Sequence, residues 1–216
     1  MLGNHGRGLT KALFTKPALL LARAGITPNM LTVAGTIASI TAAVLTIPQG
    51  RFILGPILLT CLLVADSFDG ILARATGASS AFGAFLDSTM DRLADGAVFG
   101  SLAMWAATHL DPGPLRTWTI SLALAALVLG AAVPYARARA ESVGAKASVG
   151  IAERTDRLVA IGLAVLAVGL GAPQWAITAG LGIVGTASLI TVIQRVLTVR
   201  TQLAGVPAGG RTGAAE

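Results

Sequence analysis

Apolar residues run through this chain in long blocks, not in the narrow stripes of an amphipathic surface helix. Six blocks can be drawn, at residues 29–48, 53–74, 83–108, 116–137, 157–172 and 175–198. Each approaches the ~20 residues that a helix needs to cross a bilayer core; the fifth is the shortest. The breaks carry turn chemistry: Pro48-Gln49-Gly50-Arg51, residues 76–80, Asp111-Pro112-Gly113-Pro114, residues 142–154 and Gly171-Ala172-Pro173. The pattern predicts an all-α integral membrane protein with six transmembrane helices. Ahead of the first block, Lys11, Lys16 and Arg23 alternate with Leu9, Leu13, Phe14 and Leu20. That predicts an interfacial amphipathic helix over residues 8–24, bent at Pro17; Lys16 interrupts the apolar run too early for a signal peptide. The expected organisation is a tail and juxtamembrane helix over 1–28, a six-span domain over 29–200 and a disordered tail over 201–216, rich in Gly, Ala and Pro.

Composition agrees with a membrane protein and removes several alternatives. With 54% hydrophobic and 12% charged residues, the chain is too apolar for an ordinary soluble domain. A single cysteine, Cys61, excludes an internal disulfide and reads as a small core side chain. His5 falls in the N-terminal tail and His109 in a loop, so no zinc-type ligand set exists. Aromatic residues make up only 5% and do not interleave with basic ones, which argues against a nucleic-acid partner. The net charge of +6 suits anionic lipids or phosphorylated substrates.

Charge placement gives an orientation. With six spans, one side collects Arg7, Lys11, Lys16, Arg23, Arg74, Arg92, Arg137, Arg139, Lys146, Arg154, Arg157, Arg195, Arg200 and Arg211, and the other only Arg51 and Arg116. This 14 to 2 split puts both termini on the cytoplasmic face of the cell membrane.

Candidate chemistry lies in the acids. Residues 1–65 contain no Asp or Glu, and five of the ten acids fall between Asp66 and Asp95, among Ala, Gly, Leu and Phe. Asp66 and Asp69 are three apart, Asp87 and Asp91 four apart; on helices each pair shares a face to within about 60°. At 1.5 Å per residue, Asp66 lies about 20 Å into the second span from the outside and Asp87 about 6 Å into the third from the inside, so the pairs reach similar depth in the cytoplasmic half. Ionised groups at that depth need a cavity, a partner or a metal. Arg74 and Arg92 are too few to neutralise five acids, so the pairs read as a divalent-cation site rather than as an ion-pair network that only fixes packing. Hard oxygen ligands favour Mg2+ or Mn2+.

The string Asp66-x-x-Asp69-Gly70-x-x-Ala73-Arg74, eight residues, Gly83-x-x-x-Asp87-x-x-x-Asp91 resembles the signature of the CDP-alcohol phosphatidyltransferases at every fixed position. The six-span layout resembles that family over nearly the whole chain. The resemblance implies transfer of a phosphatidyl group from CDP-diacylglycerol to an alcohol with release of CMP. It implies Asp66, Asp69, Asp87 and Asp91 as ligands of two Mg2+ or Mn2+ ions, with Asp91 also the catalytic base. For the CDP-lipid it implies Asn29, Thr32, Asp66, Asp69, Gly70, Ala73, Arg74, Ser80 and Gly83. Read without the family, Thr27 and Pro28 are simply a helix start, and Gly70 and Gly83 could equally serve helix packing. Asp95 continues the row and reads as second-layer support or an arginine partner.

Arg137, Arg157 and Arg195 sit at expected cytoplasmic helix ends. Positive-inside anchoring explains any one of them; together beside a metal site they read as a pocket for the phosphate of the acceptor. The segments are most similar to the actinobacterial family members that use inositol 1-phosphate. Glycerol 3-phosphate is the alternative acceptor, and a divalent-cation transporter is the alternative of another class, one that leaves Gly70 and Arg74 without a task. A homodimer is expected from the family, and small-residue pairs at Gly96/Gly100 and Gly182/Gly185 offer weak packing surfaces.

Overall fold

In the computed structural model, residue 23 and residues 25–204 are described, apart from the side chains of residues 67, 68, 69 and 75. The expected interfacial helix over 8–24, apart from residue 23, and the C-terminal tail beyond 204 lie outside the described residues. Six helices follow one another: α1 (Pro28–Thr46), α2 (Leu54–Thr76), α3 (Ala81–His109), α4 (Pro114–Ser142), α5 (Arg154–Gly169) and α6 (Trp175–Leu203), with no strand among the described residues. Their ends follow local chemistry. Thr27 caps α1 by accepting from the Met30 N–H at 3.3 Å, with Pro28 at the first position. Gly77, at φ 67°, closes α2 in the left-handed conformation, its N–H bonded to the Ala73 carbonyl. Ser80 caps α3 by accepting from Gly83 N–H at 3.0 Å.

Four helices, α1, α2, α4 and α6, are long and apolar enough to cross a bilayer. The other two differ from the six-block expectation for physical reasons. α3 carries Asp87, Asp91, Arg92 and Asp95 in its first half, and α5 has only 16 residues. α4 and α6 each extend several residues past the apolar blocks, to Ser142 and Leu203. His109, expected in a loop, is the last residue of α3.

Packing runs opposite to that of a water-soluble bundle. Large aliphatic side chains such as Ile37, Leu45, Ile57, Val128, Leu163 and Ile183 face outward, which suits a lipid surround. Cys61, expected inside, is exposed on α2. The core gathers at one end of the bundle, where Phe99, Leu102 and Trp105 of α3 meet Ile47, Ala126, Ile161, Val165, Ile177 and Leu181. Phe52 meets Trp105 edge-on, ring centres 4.9 Å apart. The first half of α3 escapes this core, and the site forms there.

Candidate active site

α2 and α3 each present a row of site residues. Asp66, Gly70, Ala73 and Arg74 share a face of α2; Gly83, Asp87, Asp91 and Asp95 succeed one another at i, i+4 along α3. The two rows face each other: carboxylate oxygens of Asp66, Asp87 and Asp91 lie within 4.8 Å of one another. Three hard oxygen donors so close fit a divalent ion of the Mg2+ or Mn2+ kind. Asp69 follows Asp66 by three residues on α2, but its side chain lies outside what is described.

Beside the acids opens a cleft of about 190 Å³ lined by Asn29 and Thr32 of α1, Gly70, Ala73 and Arg74 of α2, the turn at Ala78–Ser80, and Gly83 and Asp87 of α3. Seven of the nine residues expected on the CDP-lipid thus share one cavity. The glycines keep it open: a Cβ on Gly83 would stand 3.3 Å from Asn29 Oδ1 and 3.2 Å from Ser80 Oγ, and one on Gly70 3.3 Å from the Arg74 guanidinium. At both positions a Cβ would meet side chains that line the cleft. On the other side of Asp66 an apolar groove follows α2 and α5 past Leu59, Leu62, Leu158 and Val165, ending at Asp66 and Arg154.

The basic partners differ from those expected. Arg154, the first residue of α5, donates from Nη1 to Asp66 Oδ2 at 3.1 Å and from Nε to Asp95 Oδ1 at 3.1 Å, and its Nη1 forms an ion pair with Asp91 Oδ1 at 2.7 Å. Arg92 adds a 3.3 Å contact to Asp91. The arginines near the acids therefore include two from α5, 59 to 88 residues away in sequence from the acids they meet. Sequence reasoning missed Arg154. The signal was its place in Glu153-Arg154-Thr155-Asp156-Arg157, a charged helix start where Asp156 accepts the Glu153 N–H at 3.1 Å.

Arg157 has a different task from the one expected. It is 2% exposed, donates to Asp95 Oδ2 at 3.1 Å and to the carbonyls of Ala152 at 3.1 Å and Gly130 at 3.4 Å. The reason lies in Pro134, inside α4. Proline has no N–H to give the carbonyl four residues back, and that carbonyl is Gly130, which Arg157 satisfies instead. Arg195 reaches another carbonyl of α4, that of Val133, and its Nε donates to the Val149 carbonyl at 2.9 Å. Asp95 is 5% exposed and takes both Arg154 and Arg157, the arginine-partner reading given to it above. Arg137 is exposed and pairs with Glu141 at 3.0 Å. Arg195 lies within electrostatic range of both Arg137 and Arg157, although Arg157 and Arg195 are themselves occupied by backbone carbonyls.

The connection from α4 to α5 is strapped onto α6. Lys146 exchanges two backbone hydrogen bonds with the Gln202 side chain, at 2.8 and 2.7 Å, and Thr191 Oγ1 accepts from Ile151 and Ala152 N–H at 3.2 and 3.1 Å. Gly150, at φ 143°, passes so close that a Cβ would stand 2.3 Å from the Thr191 methyl. This strap sets where α5 begins, and so where Arg154 stands.

Comparison with known proteins points one way. Residues 25–204 match the model of the CDP-alcohol phosphatidyltransferases. A phosphatidylinositol phosphate synthase of Streptomyces avermitilis is 40% identical over 210 residues, covering 94% of this chain and 84% of that protein. One from Cutibacterium acnes is 43% identical over 187 residues, covering 83% and 88%. The crystal structure of the Mycobacterium tuberculosis phosphatidylinositol phosphate synthase with CDP-DAG bound superposes with a TM-score of 0.82 at 34% identity, over 88% of this chain and 94% of that one. The same enzyme with manganese and citrate gives 0.81 at 35% identity, over 87% and 89%.

Proposed function

The chain belongs to the CDP-alcohol phosphatidyltransferase family, and from that premise we propose that it transfers the phosphatidyl group of CDP-diacylglycerol to inositol 1-phosphate. The observation that carries this reading is the convergence of Asp66, Asp87 and Asp91 at the rim of the cleft lined by Asn29, Thr32, Gly70, Arg74 and Gly83. The CDP moiety lies in that cleft with Arg74 on its phosphates, and an acyl chain follows the apolar groove between α2 and α5. Asp66, Asp69, Asp87 and Asp91 hold two divalent ions, Mg2+ or Mn2+. Those ions would neutralise the diphosphate and the charge that develops on the leaving group. Asp91 takes the proton of the acceptor hydroxyl as its oxygen bonds to the phosphatidyl phosphorus; the bond to CMP breaks, and CMP leaves with the electron pair.

Arg137 and Arg195, with Arg157 behind them, supply positive charge for the acceptor phosphate. The relatives' names favour inositol 1-phosphate over glycerol 3-phosphate, which this pocket would also suit. A cation transporter is disfavoured, because it gives the cleft beside the acids and Arg74 no task. We further infer that all six helices cross the cell membrane, with both termini and the site cytoplasmic, and that the enzyme is a homodimer. The test is purified protein with CDP-diacylglycerol and, in parallel, inositol 1-phosphate, free inositol, glycerol 3-phosphate and serine. Phosphatidylinositol phosphate and CMP are expected from the first; product only from another acceptor would overturn the assignment.

A further inference from the structure

Arg154 occupies the carboxylates that a divalent ion would need. Its Nη1 stands between Asp91 and Asp66, at 2.7 and 3.1 Å, while its Nε holds Asp95 at 3.1 Å. Asp66 and Asp91 are two of the three acids grouped as ion ligands. A guanidinium and a divalent cation would crowd onto the same carboxylates, and each repels the other. The surroundings show how the two can alternate. Asp95 is buried and also held by Arg157, so it stays put, whereas the contacts to Asp66 and Asp91 involve side chains that are 17 to 25% exposed.

We propose that Arg154 is an internal counter-ion: it neutralises Asp66 and Asp91 when no divalent ion is bound, and the arriving ion displaces its Nη1 from both, while Nε keeps its hold on Asp95. Arg154 is then a positioning residue that keeps the empty acid cluster from repelling itself apart, and it lowers ion affinity as the cost. The guanidinium is released into the space between the acids and the groove end that it lines with Asp66. This inference rests on the divalent-ion reading of the acids but goes beyond it, since that reading requires nothing of Arg154.

Two measurements test it, neither depending on turnover. Mn2+ binding to purified protein in detergent, followed by the electron paramagnetic resonance signal of the free ion, gives Kd for wild type and Arg154→Gln. The expected result is a Kd about tenfold lower in the variant, because the ion no longer displaces a cation. An equal or higher Kd in Arg154→Gln overturns the proposal and leaves the ion site standing. No Mn2+ bound by either protein overturns both. Should the variant not fold, the wild type decides alone: phenylglyoxal modification of Arg154, read by peptide mass spectrometry against buried Arg157, is expected to speed up several-fold with Mn2+. Unchanged or slower modification overturns the proposal.

Discussion

On the wall built by α1, α2 and α3, polar groups face open space. Arg74 is exposed, Asn29 and Ser80 border the cleft, and two glycines keep it clear. On the wall built by α4, α5 and α6, two buried arginines are tied to backbone: Arg157 to Ala152 and Gly130, Arg195 to Val149 and Val133. The first wall is shaped to receive a ligand. The second is shaped to hold the first in place: its arginines satisfy the Gly130 carbonyl that Pro134 leaves without a helical donor and the Ala152 and Val149 carbonyls of the α4–α5 strap, and add a bond to Val133. The contrast implies that substitutions on the open wall should change chemistry at little cost in stability, and those on the closed wall the reverse.

The sharpest break of that contrast is Asp91→Asn. A positioned general base contributes about 10² to 10⁴ in rate, so kcat should fall by that range with the thermal midpoint in detergent retained. Asp66 still engages Arg154 in that variant. Turnover near wild type would remove Asp91 from its role. Asp95→Asn lies one turn further along the same helix yet belongs to the closed wall. It strips the carboxylate from Arg157, which is 2% exposed. Breaking a buried pair from one side costs about 3 to 5 kcal/mol, so unfolding should be strongly eased, and the folded fraction should keep its affinity for CDP-lipid. Unaltered stability would mean that Asp95 is not the anchor of the closed wall.

The two walls were also unequally legible. The open wall spans residues 28–91 with fixed short spacings, so helix periodicity together with depth along two oppositely running spans brought Asp66 toward Asp87 and Asp91. Its caps, Thr27 and Ser80, are local signals as well. The closed wall depends on pairs such as Arg154 with Asp66 and Arg195 with Val133, 88 and 62 residues apart. No spacing rule reports these. Arg157 could be seen as basic and near a helix end, but not as the donor for Gly130; that needed the reading of Pro134 as a carbonyl freed inside α4 together with knowledge of which helix packs there. Hydropathy alone did not separate the two halves of α3, where the second half is core and the first half carries the acids.

A milder test stays on the open wall. Arg74→Gln removes one exposed cation from the cleft and leaves the buried network untouched. Losing one charge-assisted hydrogen bond, about 1.5 kcal/mol or more, should raise KM for CDP-diacylglycerol about tenfold with KM for the acceptor unchanged. Equal rises in both constants would place Arg74 outside the nucleotide subsite.

The smallest expected effect is the most informative, because it falls where the two walls meet. Arg195 is both a carbonyl partner and a neighbour of exposed Arg137. If it serves only the carbonyls of Val149 and Val133, Arg195→Gln should loosen the strap and shift both Michaelis constants together. If its charge also reaches the acceptor phosphate, KM for inositol 1-phosphate should rise several-fold more than KM for CDP-diacylglycerol. The second outcome is expected if the proposed acceptor pocket holds, since Arg195 lies near Arg137, which pairs with an exposed glutamate. The ratio of the two constants reads this directly: loss of packing alone cannot favour one substrate, whereas loss of a phosphate-facing charge must.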